Sequence, residues 1–127
     1  MGLFNKFFSG SSDTSDVREL PWVTLSSVVQ LEEIERKSTT KTQIIFKHST
    51  RCGISRTVLN QFIKSFDFNE FDLYYLDLLS YRNVSNKIAE TFKVYHQSPQ
   101  VIIIKNSITI AHESHGDINA LNLNQFI

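Results

Sequence analysis

Residues 44–55 decide how this chain folds, and they read Ile-Ile-Phe-Lys-His-Ser-Thr-Arg-Cys-Gly-Ile-Ser. The run 44–46 is apolar on both faces, which is typical of a strand in the middle of a sheet. A polar loop leads to Cys52, after which apolar residues recur at helical spacing. These residues are Val58, Leu59, Phe62 and Phe66. The stretch therefore predicts a buried strand, a loop and an amphipathic helix that begins near Cys52.

Ahead of this stretch, residues 22–25 predict a short first strand, and Ser27 opens a helix. Gln30 lies three residues after Ser27, which is the spacing of a capping box. We therefore expect the Gln30 side chain to bind the Ser27 amide. Residues 1–16 end in small and polar side chains, so they predict a flexible tail ahead of one domain over 17–127.

Beyond the stretch, residues 71–77 predict a third strand, and a third helix follows it. Apolar residues mark one face of that helix, at Val84, Ile88, Phe92 and Tyr95. Two strands, 101–104 and 108–111, are separated by a three-residue polar break that indicates a hairpin. A last helix begins at about Asp117, which acts as its N-cap. The order β-α-β-α-β-α-β-β-α predicts an α/β fold with a mixed sheet.

The composition excludes several classes of function. Thirteen basic and thirteen acidic side chains cancel, so we expect neither nucleic acid nor an anionic membrane as a partner. No run approaches the roughly 18 apolar residues of a membrane span, and the N-terminus lacks the pattern of a signal peptide. The chain has one cysteine and forms no internal disulfide, which favours a reducing compartment. We therefore expect a cytoplasmic protein.

The predicted chemistry depends on Cys52 because of its place at a helix N-terminus. Free amides and the helix dipole stabilise a thiolate there, and the thiolate is the reactive form of cysteine. Basic residues close in sequence add positive potential, namely Lys47, His48, Arg51 and Arg56. The alternative is that Cys52 is a small buried apolar residue without reactivity, as lone cysteines often are.

Ser55 lies three residues after Cys52, on the same face of the first helical turn. A dithiol oxidoreductase would have its resolving cysteine there. A serine hydroxyl can hydrogen-bond a thiolate but cannot displace a mixed disulfide, so Ser55 has either a catalytic role or a simple capping role. The four histidines lack paired cysteines and helical i, i+4 spacing, so we expect no metal site. Gly116 and Asp117 follow a turn at the start of the last helix. They either bind an anionic group of a low-molecular-weight thiol or only form the turn and the N-cap.

The stretch 46–55, with Ser-Pro-Gln-Val at 98–101 and His-Gly-Asp-Ile at 115–118, resembles the monothiol bacilliredoxin family. This family is the bacillithiol-system branch of the thioredoxin fold, and the similarity extends over residues 20–126. The resemblance implies a thioredoxin-like three-layer α/β/α fold. It also implies a cis Ser98–Pro99 peptide bond facing Cys52, with Ser98 pairing main chain to main chain with a bound thiol ligand.

The resemblance further implies a monothiol thiol–disulfide oxidoreductase that removes bacillithiol from protein mixed disulfides through Cys52, in the response to oxidative stress. Bacillithiol is then a co-substrate, and no cofactor is tightly bound. The implied substrate-binding residues are Lys47, His48, Arg51, Gly53, Ser98, Pro99, Gly116 and Asp117. The implied partners of this expected monomer are bacillithiolated client proteins, the free low-molecular-weight thiol and a redoxin reductant.

Gly53 departs from the family pattern, in which proline follows the cysteine. Cys-Gly-x-Ser is also the pattern of monothiol glutaredoxins, so a cluster carrier is an alternative. Such a carrier would ligate an iron–sulfur cluster through Cys52 and an exogenous thiol, and it would need a dimer because one cysteine per chain is too few. The second alternative is a non-catalytic thioredoxin-fold interaction protein in which Cys52 is inert.

Overall fold

The computed structural model describes residues 20–127, and the predicted tail over 1–16 lies outside them. The described elements in chain order are β1 (Trp22–Thr24), α1 (Val29–Lys37), β2 (Thr42–His48), α2 (Gly53–Ser65), β3 (Phe71–Asp77), α3 (Arg82–Phe92), β4 (Gln100–Lys105) and β5 (Ile108–Ser114). Two short 3₁₀ helices, His115–Ala120 and Leu123–Phe126, complete this part of the chain.

The five strands form one mixed sheet in the order β1-β3-β2-β4-β5. β1, β3 and β2 pair in parallel, whereas β4 and β5 pair antiparallel. Every residue of β2 is buried because both faces of the sheet are covered at its centre. The prediction of a central strand over 44–46 in a mixed α/β sheet is confirmed.

Two apolar clusters hold the helices against the sheet. One face carries α1 and α3, and the other carries α2 with the first 3₁₀ helix. On the second face the rings of Phe46 and Phe62 meet edge to face with centroids 5.3 Å apart. Trp22 contacts both rings, at 6.2 Å and 6.1 Å. These aromatic contacts fix α2, and with it the loop that carries Cys52, relative to β2.

The start of α1 matches the predicted capping box. The Ser27 amide donates to Gln30 Oε1 at 3.0 Å, and the Ser26 amide donates to the same oxygen at 2.8 Å. The Ser27 hydroxyl accepts from the Val29 amide at 3.2 Å. Amides that the helix leaves without partners are thereby satisfied by local side chains.

The third helix ends earlier than its apolar spacing predicts. α3 ends at Phe92, because Lys93 adopts the left-handed conformation with φ of 57° and caps the helix. Tyr95 was expected on the inner face of that helix, and this is wrong: its side chain is 93% exposed. The hairpin turn is also shorter than predicted, since only Asn106 and Ser107 separate the strands, both with positive φ.

The predicted α-helix from Asp117 is wrong in type and in start. The segment is a 3₁₀ helix that begins at His115, with Ser114 as the N-cap and no capping side chain. Asp117 is exposed in the first turn and does not cap the helix. Asn122 then caps a second 3₁₀ helix by accepting from the Asn124 amide. Each segment is short enough for the tighter i→i+3 geometry.

Candidate active site

The sheet topology brings the loop after β2 and the segment before β4 to one edge. Lys47 pairs with Gln100 in the antiparallel register of these two strands. The loop 49–52 and the Ser98–Pro99 pair therefore lie side by side, although nearly fifty residues separate them in sequence. This juxtaposition forms the candidate active site.

Cys52 is the N-cap residue of α2, as the sequence predicts. Its amide donates to the Ser49 carbonyl at 3.1 Å, and its carbonyl accepts from the Arg56 amide at 3.1 Å. The side chain is half-buried and makes no capping hydrogen bond. Within residues 20–127 the thiol has no hydrogen-bond partner, so it is available to an external sulfur atom.

Ser55 is fully buried, and its hydroxyl contacts the end of β2. Its Oγ accepts from the Ser49 amide at 3.1 Å and lies 2.7 Å from His48 Nδ1. The Ser55 hydroxyl and His48 Nδ1 share a short hydrogen bond whose direction is set by the tautomer of His48. The hydroxyl thus ties β2, the Cys52 loop and the first turn of α2 together.

His48 is buried between Ser55 and Tyr75, whose ring centroid is 5.9 Å away. Burial and then the Arg56 charge lower the pKa of His48, while Asp77 opposes them. The lowered pKa favours the neutral imidazole, whose Nδ1 shares the hydrogen bond with the Ser55 hydroxyl. In this arrangement His48 supports the Cys52 loop from inside the fold.

Lys47 lies on the opposite face of the sheet from His48, because successive side chains of a strand alternate. It is fully buried, with Nζ 3.2 Å from His96 Nδ1 and 3.5 Å from the Ser85 carbonyl. Burial lowers its pKa to about 8. The structure therefore does not bring Lys47 to the surface around Cys52, where it was expected to meet substrate.

Arg51 is exposed beside Cys52 and lines an open groove. Thr50, Leu79 and Ser80 complete this groove, which has a volume of about 430 Å³. Arg56 donates to the Thr50 carbonyl at 3.0 Å and so braces the same loop. Gly53, expected at the substrate, is exposed, and a side chain there would meet no atom within 4 Å.

The Ser98–Pro99 peptide bond is cis, the form that the resemblance implies. Pro99 is buried, and its carbonyl accepts from the His115 amide at 3.0 Å. Among residues 20–127, neither the amide nor the carbonyl of Ser98 has a hydrogen-bond partner, and its buried hydroxyl has none either. Ser98 thus offers a free main-chain edge, with the exposed Gly116 and Asp117 just past His115.

Three residues at this edge were not singled out as site residues from the sequence. Ile54 follows the cysteine loop with 64% of its side chain exposed, although an apolar residue in a helix ordinarily faces inward. Tyr95 and His96 precede Ser98 in the loop after α3. The sequence signal for them is their position, three and two residues before the Ser98–Pro99 pair.

The described region offers no ready metal site: across 20–127, no group of three or more His, Cys, Asp or Glu residues is placed to hold an ion. None of its helices is long and apolar enough to cross a membrane.

Solved structures similar to this chain include "a putative oxidoreductase with a thioredoxin fold", with 31% identity, 83% of this chain and 92% of that chain covered, and a TM-score of 0.66. Thioredoxins from Malassezia sympodialis and Schistosoma mansoni share the fold at 18% identity. Their TM-scores are 0.68 and 0.67, over 86% and 84% of this chain and 92% and 95% of theirs. The model of the family described as "Monothiol bacilliredoxin BrxC" matches residues 23–123. The chain therefore belongs to the monothiol bacilliredoxin family and is a thiol oxidoreductase with a thioredoxin fold.

Proposed function

We propose that this protein removes bacillithiol from protein mixed disulfides through Cys52. One observation carries the proposal: the chain's single cysteine lies at a helix N-terminus with an unengaged, half-exposed thiol. Ser55 occupies the position where a resolving cysteine would lie, and its buried hydroxyl is hydrogen-bonded to His48 and to the Ser49 amide. Such a site supports exchange through one sulfur.

The first step forms one disulfide and breaks another. The Cys52 thiolate attacks the bacillithiol sulfur of the mixed disulfide, and the bond from that sulfur to the client protein breaks. The client leaves as a thiolate that takes a proton from water, while Cys52 carries the bacillithiol as a new mixed disulfide. No net oxidant or reductant is consumed in this exchange.

The second step requires another molecule because Ser55 cannot displace the adduct. A free bacillithiol thiolate attacks the bacillithiol sulfur bound to Cys52, which yields bacillithiol disulfide and restores the Cys52 thiolate. A redoxin could supply the same reducing step. Bacillithiol thus acts as a co-substrate, with no cofactor tightly bound, and we place the reaction in the cytoplasm with the protein as a monomer.

Two surfaces next to the Cys52 loop suit the two halves of the substrate. The free amide and carbonyl of Ser98 can pair with the client main chain in the manner of an added strand. On the other side, the groove beside Arg51 offers a cation to the non-sulfur part of the low-molecular-weight thiol. Gly116 and Asp117 remain candidates for a second contact with that ligand.

Mass spectrometry tests the proposal directly. We incubate the protein with a bacillithiol-modified client and, separately, with a glutathione-modified one. The expected result is a bacillithiol adduct on the wild type and none on Cys52→Ser, whose remaining chain has no thiol. Transfer of neither adduct to the wild type would falsify the proposal, and preference for glutathione would reassign the low-molecular-weight thiol.

A separate measurement distinguishes the cluster-carrier alternative. Anaerobic reconstitution with iron, sulfide and a low-molecular-weight thiol would give a persistent brown colour and a dimer if Cys52 served as a cluster ligand. Under the proposed exchange activity we expect a colourless monomer. The rate of iodoacetamide alkylation against pH then separates a reactive Cys52 from an inert one.

A further inference from the structure

A buried lysine lies beneath the loop that leads to the Ser98 edge. The Lys47 ammonium is fully buried, and within residues 20–127 no carboxylate forms an ion pair with it. Its contacts are His96 Nδ1 at 3.2 Å and the Ser85 carbonyl at 3.5 Å. The Ser85 hydroxyl lies 3.4 Å from the same His96 nitrogen. A buried cation therefore has a histidine of this loop as its closest partner.

Gln100 supplies a second contact to the same loop. It is the cross-strand neighbour of Lys47, and its Nε2 donates to the Tyr95 carbonyl at 2.9 Å. Gln100 Oε1 and the Ser98 hydroxyl are buried without a partner in the described region. Tyr95 itself is 93% exposed, so apolar burial contributes little at that point of the loop. The loop 95–98 thus rests mainly on two polar side chains from adjacent strands.

The contact to Lys47 depends on the charge of His96. An ammonium has only donors, so His96 Nδ1 must accept and the imidazole must be neutral. Burial first, and then the charges of Lys47 and Arg82, lower the pKa of His96. His96 lines an open groove of about 530 Å³ together with Glu90 and Lys93. The Glu90 carboxylate forms an ion pair with Lys87 at 2.8 Å. A proton on His96 would place two cations at contact distance.

We propose that Lys47 and His96 are positioning residues that hold the loop 95–98 in place, and that protonation of His96 releases this loop. The Ser98 edge is then presented to substrate only while His96 is neutral. The assignment of that edge to substrate rests on the proposed function. The coupling between His96 and the loop does not.

Nuclear magnetic resonance tests the coupling without any thiol substrate. We record the amide shifts of residues 95–98 while lowering the pH from about 7 to about 5, a range in which Lys47 stays largely charged. In the wild type they follow the His96 titration. In His96→Gln, which keeps an acceptor but cannot titrate, they stay constant. The matched control His112→Gln removes an exposed histidine of β5 and keeps the wild-type response.

Two further variants test the part played by the buried cation. Lys47→Met removes the neighbouring charge, so His96 titrates at higher pH than in the wild type. His96→Lys places a second ammonium beside Lys47, so the loop shows its acid-state shifts already at about pH 7. This second variant changes only an exposed side chain, so it tests the inference without altering the buried position 47.

Enzyme kinetics supply the functional readout. One pH unit below the His96 pKa, about one-tenth of the molecules keep a neutral imidazole, so the apparent KM for the client rises about tenfold. The ratio of KM values for wild type and His96→Gln at each pH isolates this effect from protonation of the thiol.

The inference would be overturned if the amide shifts of residues 95–98 did not change with the His96 titration. It would also be overturned if they still changed at acid pH in His96→Gln. Failure of bacillithiol transfer would overturn only the proposed function, because the shift measurement uses no thiol.

Discussion

Ser55 links three parts of the site through one oxygen atom, which contacts the Ser49 amide and His48 Nδ1. Replacing it with alanine leaves a buried imidazole nitrogen and a main-chain amide without partners. We expect Ser55→Ala to lower the free energy of unfolding by about 1–3 kcal/mol, measured by urea denaturation.

The matched control is Thr57→Ala on the same helix. Its exposed hydroxyl donates to the Gly53 carbonyl at 3.1 Å, where water can replace it. We expect a change within about 0.5 kcal/mol. Equal losses from the two substitutions would show that the Ser55 hydroxyl has no special part in holding the Cys52 loop.

Lys47 bears a charge that burial disfavours, and this predicts a pH-dependent stability. Its pKa is about 8 in the folded protein, against the ordinary lysine value of 10.5 that applies to the unfolded chain. The unfolded chain therefore binds the proton more tightly. The resulting loss of folding stability is full below about pH 8 and decreases as the pH rises towards 10.5. Lys47→Met should therefore raise the free energy of unfolding near neutral pH, by on the order of 3 kcal/mol.

Denaturant unfolding of Lys47→Met across this pH range checks the prediction, with the exposed Lys64→Met on α2 as control. The gain from Lys47→Met should shrink as the pH rises, whereas Lys64→Met should have little effect throughout. A gain that is independent of pH would mean that packing of the methionine, and not relief of the buried charge, explains it.

At the scale of elements, the strand–loop–helix unit around Cys52 was predictable because its pattern is local. Apolar residues on both faces mark β2, and the helical spacing after Cys52 marks α2. The apolar spacing continues to Tyr95 and so predicts a longer third helix, whereas the helix ends at Phe92 because Lys93 is left-handed. Residues 115–126 carry helical spacing, which predicts one α-helix, but they form two short 3₁₀ segments.

The loop 49–52 gives an element-scale prediction, since Arg51 is its exposed cation beside the groove. If the groove receives an anionic part of the thiol, Arg51→Gln should raise KM for the bacillithiolated client about two- to fivefold. Added salt should raise the KM of the wild type towards that of the variant, because salt screens exposed charges.

Steady-state kinetics at low and high salt measure this effect, with Arg36→Gln on α1 as control. That arginine is exposed and lies on a different element, so we expect wild-type values. An unchanged KM for Arg51→Gln at low salt would remove the groove from the substrate site.

At the scale of the whole molecule, the sequence predicted which segments meet but not which way every side chain points. The mixed sheet follows from the element order, and its register places the loop before Pro99 beside the loop after β2. Lys47 was expected at the surface because it is charged and near Cys52 in sequence. A central strand covered on both faces buries each of its residues, and only the tertiary contacts reveal that Lys47 faces α3.

The whole molecule also sets the stoichiometry of the reaction. With one cysteine in the chain and no internal thiol to reset it, the proposed function predicts that each protein molecule accepts one bacillithiol and then stops. Mixing the reduced protein with excess bacillithiolated client, without free thiol, should release a burst of one client thiol per chain. The adduct should persist through desalting, and added bacillithiol should restore turnover in proportion to its concentration. Cys52→Ser should give no burst, and release of clearly more than one thiol per chain would contradict the single-sulfur mechanism.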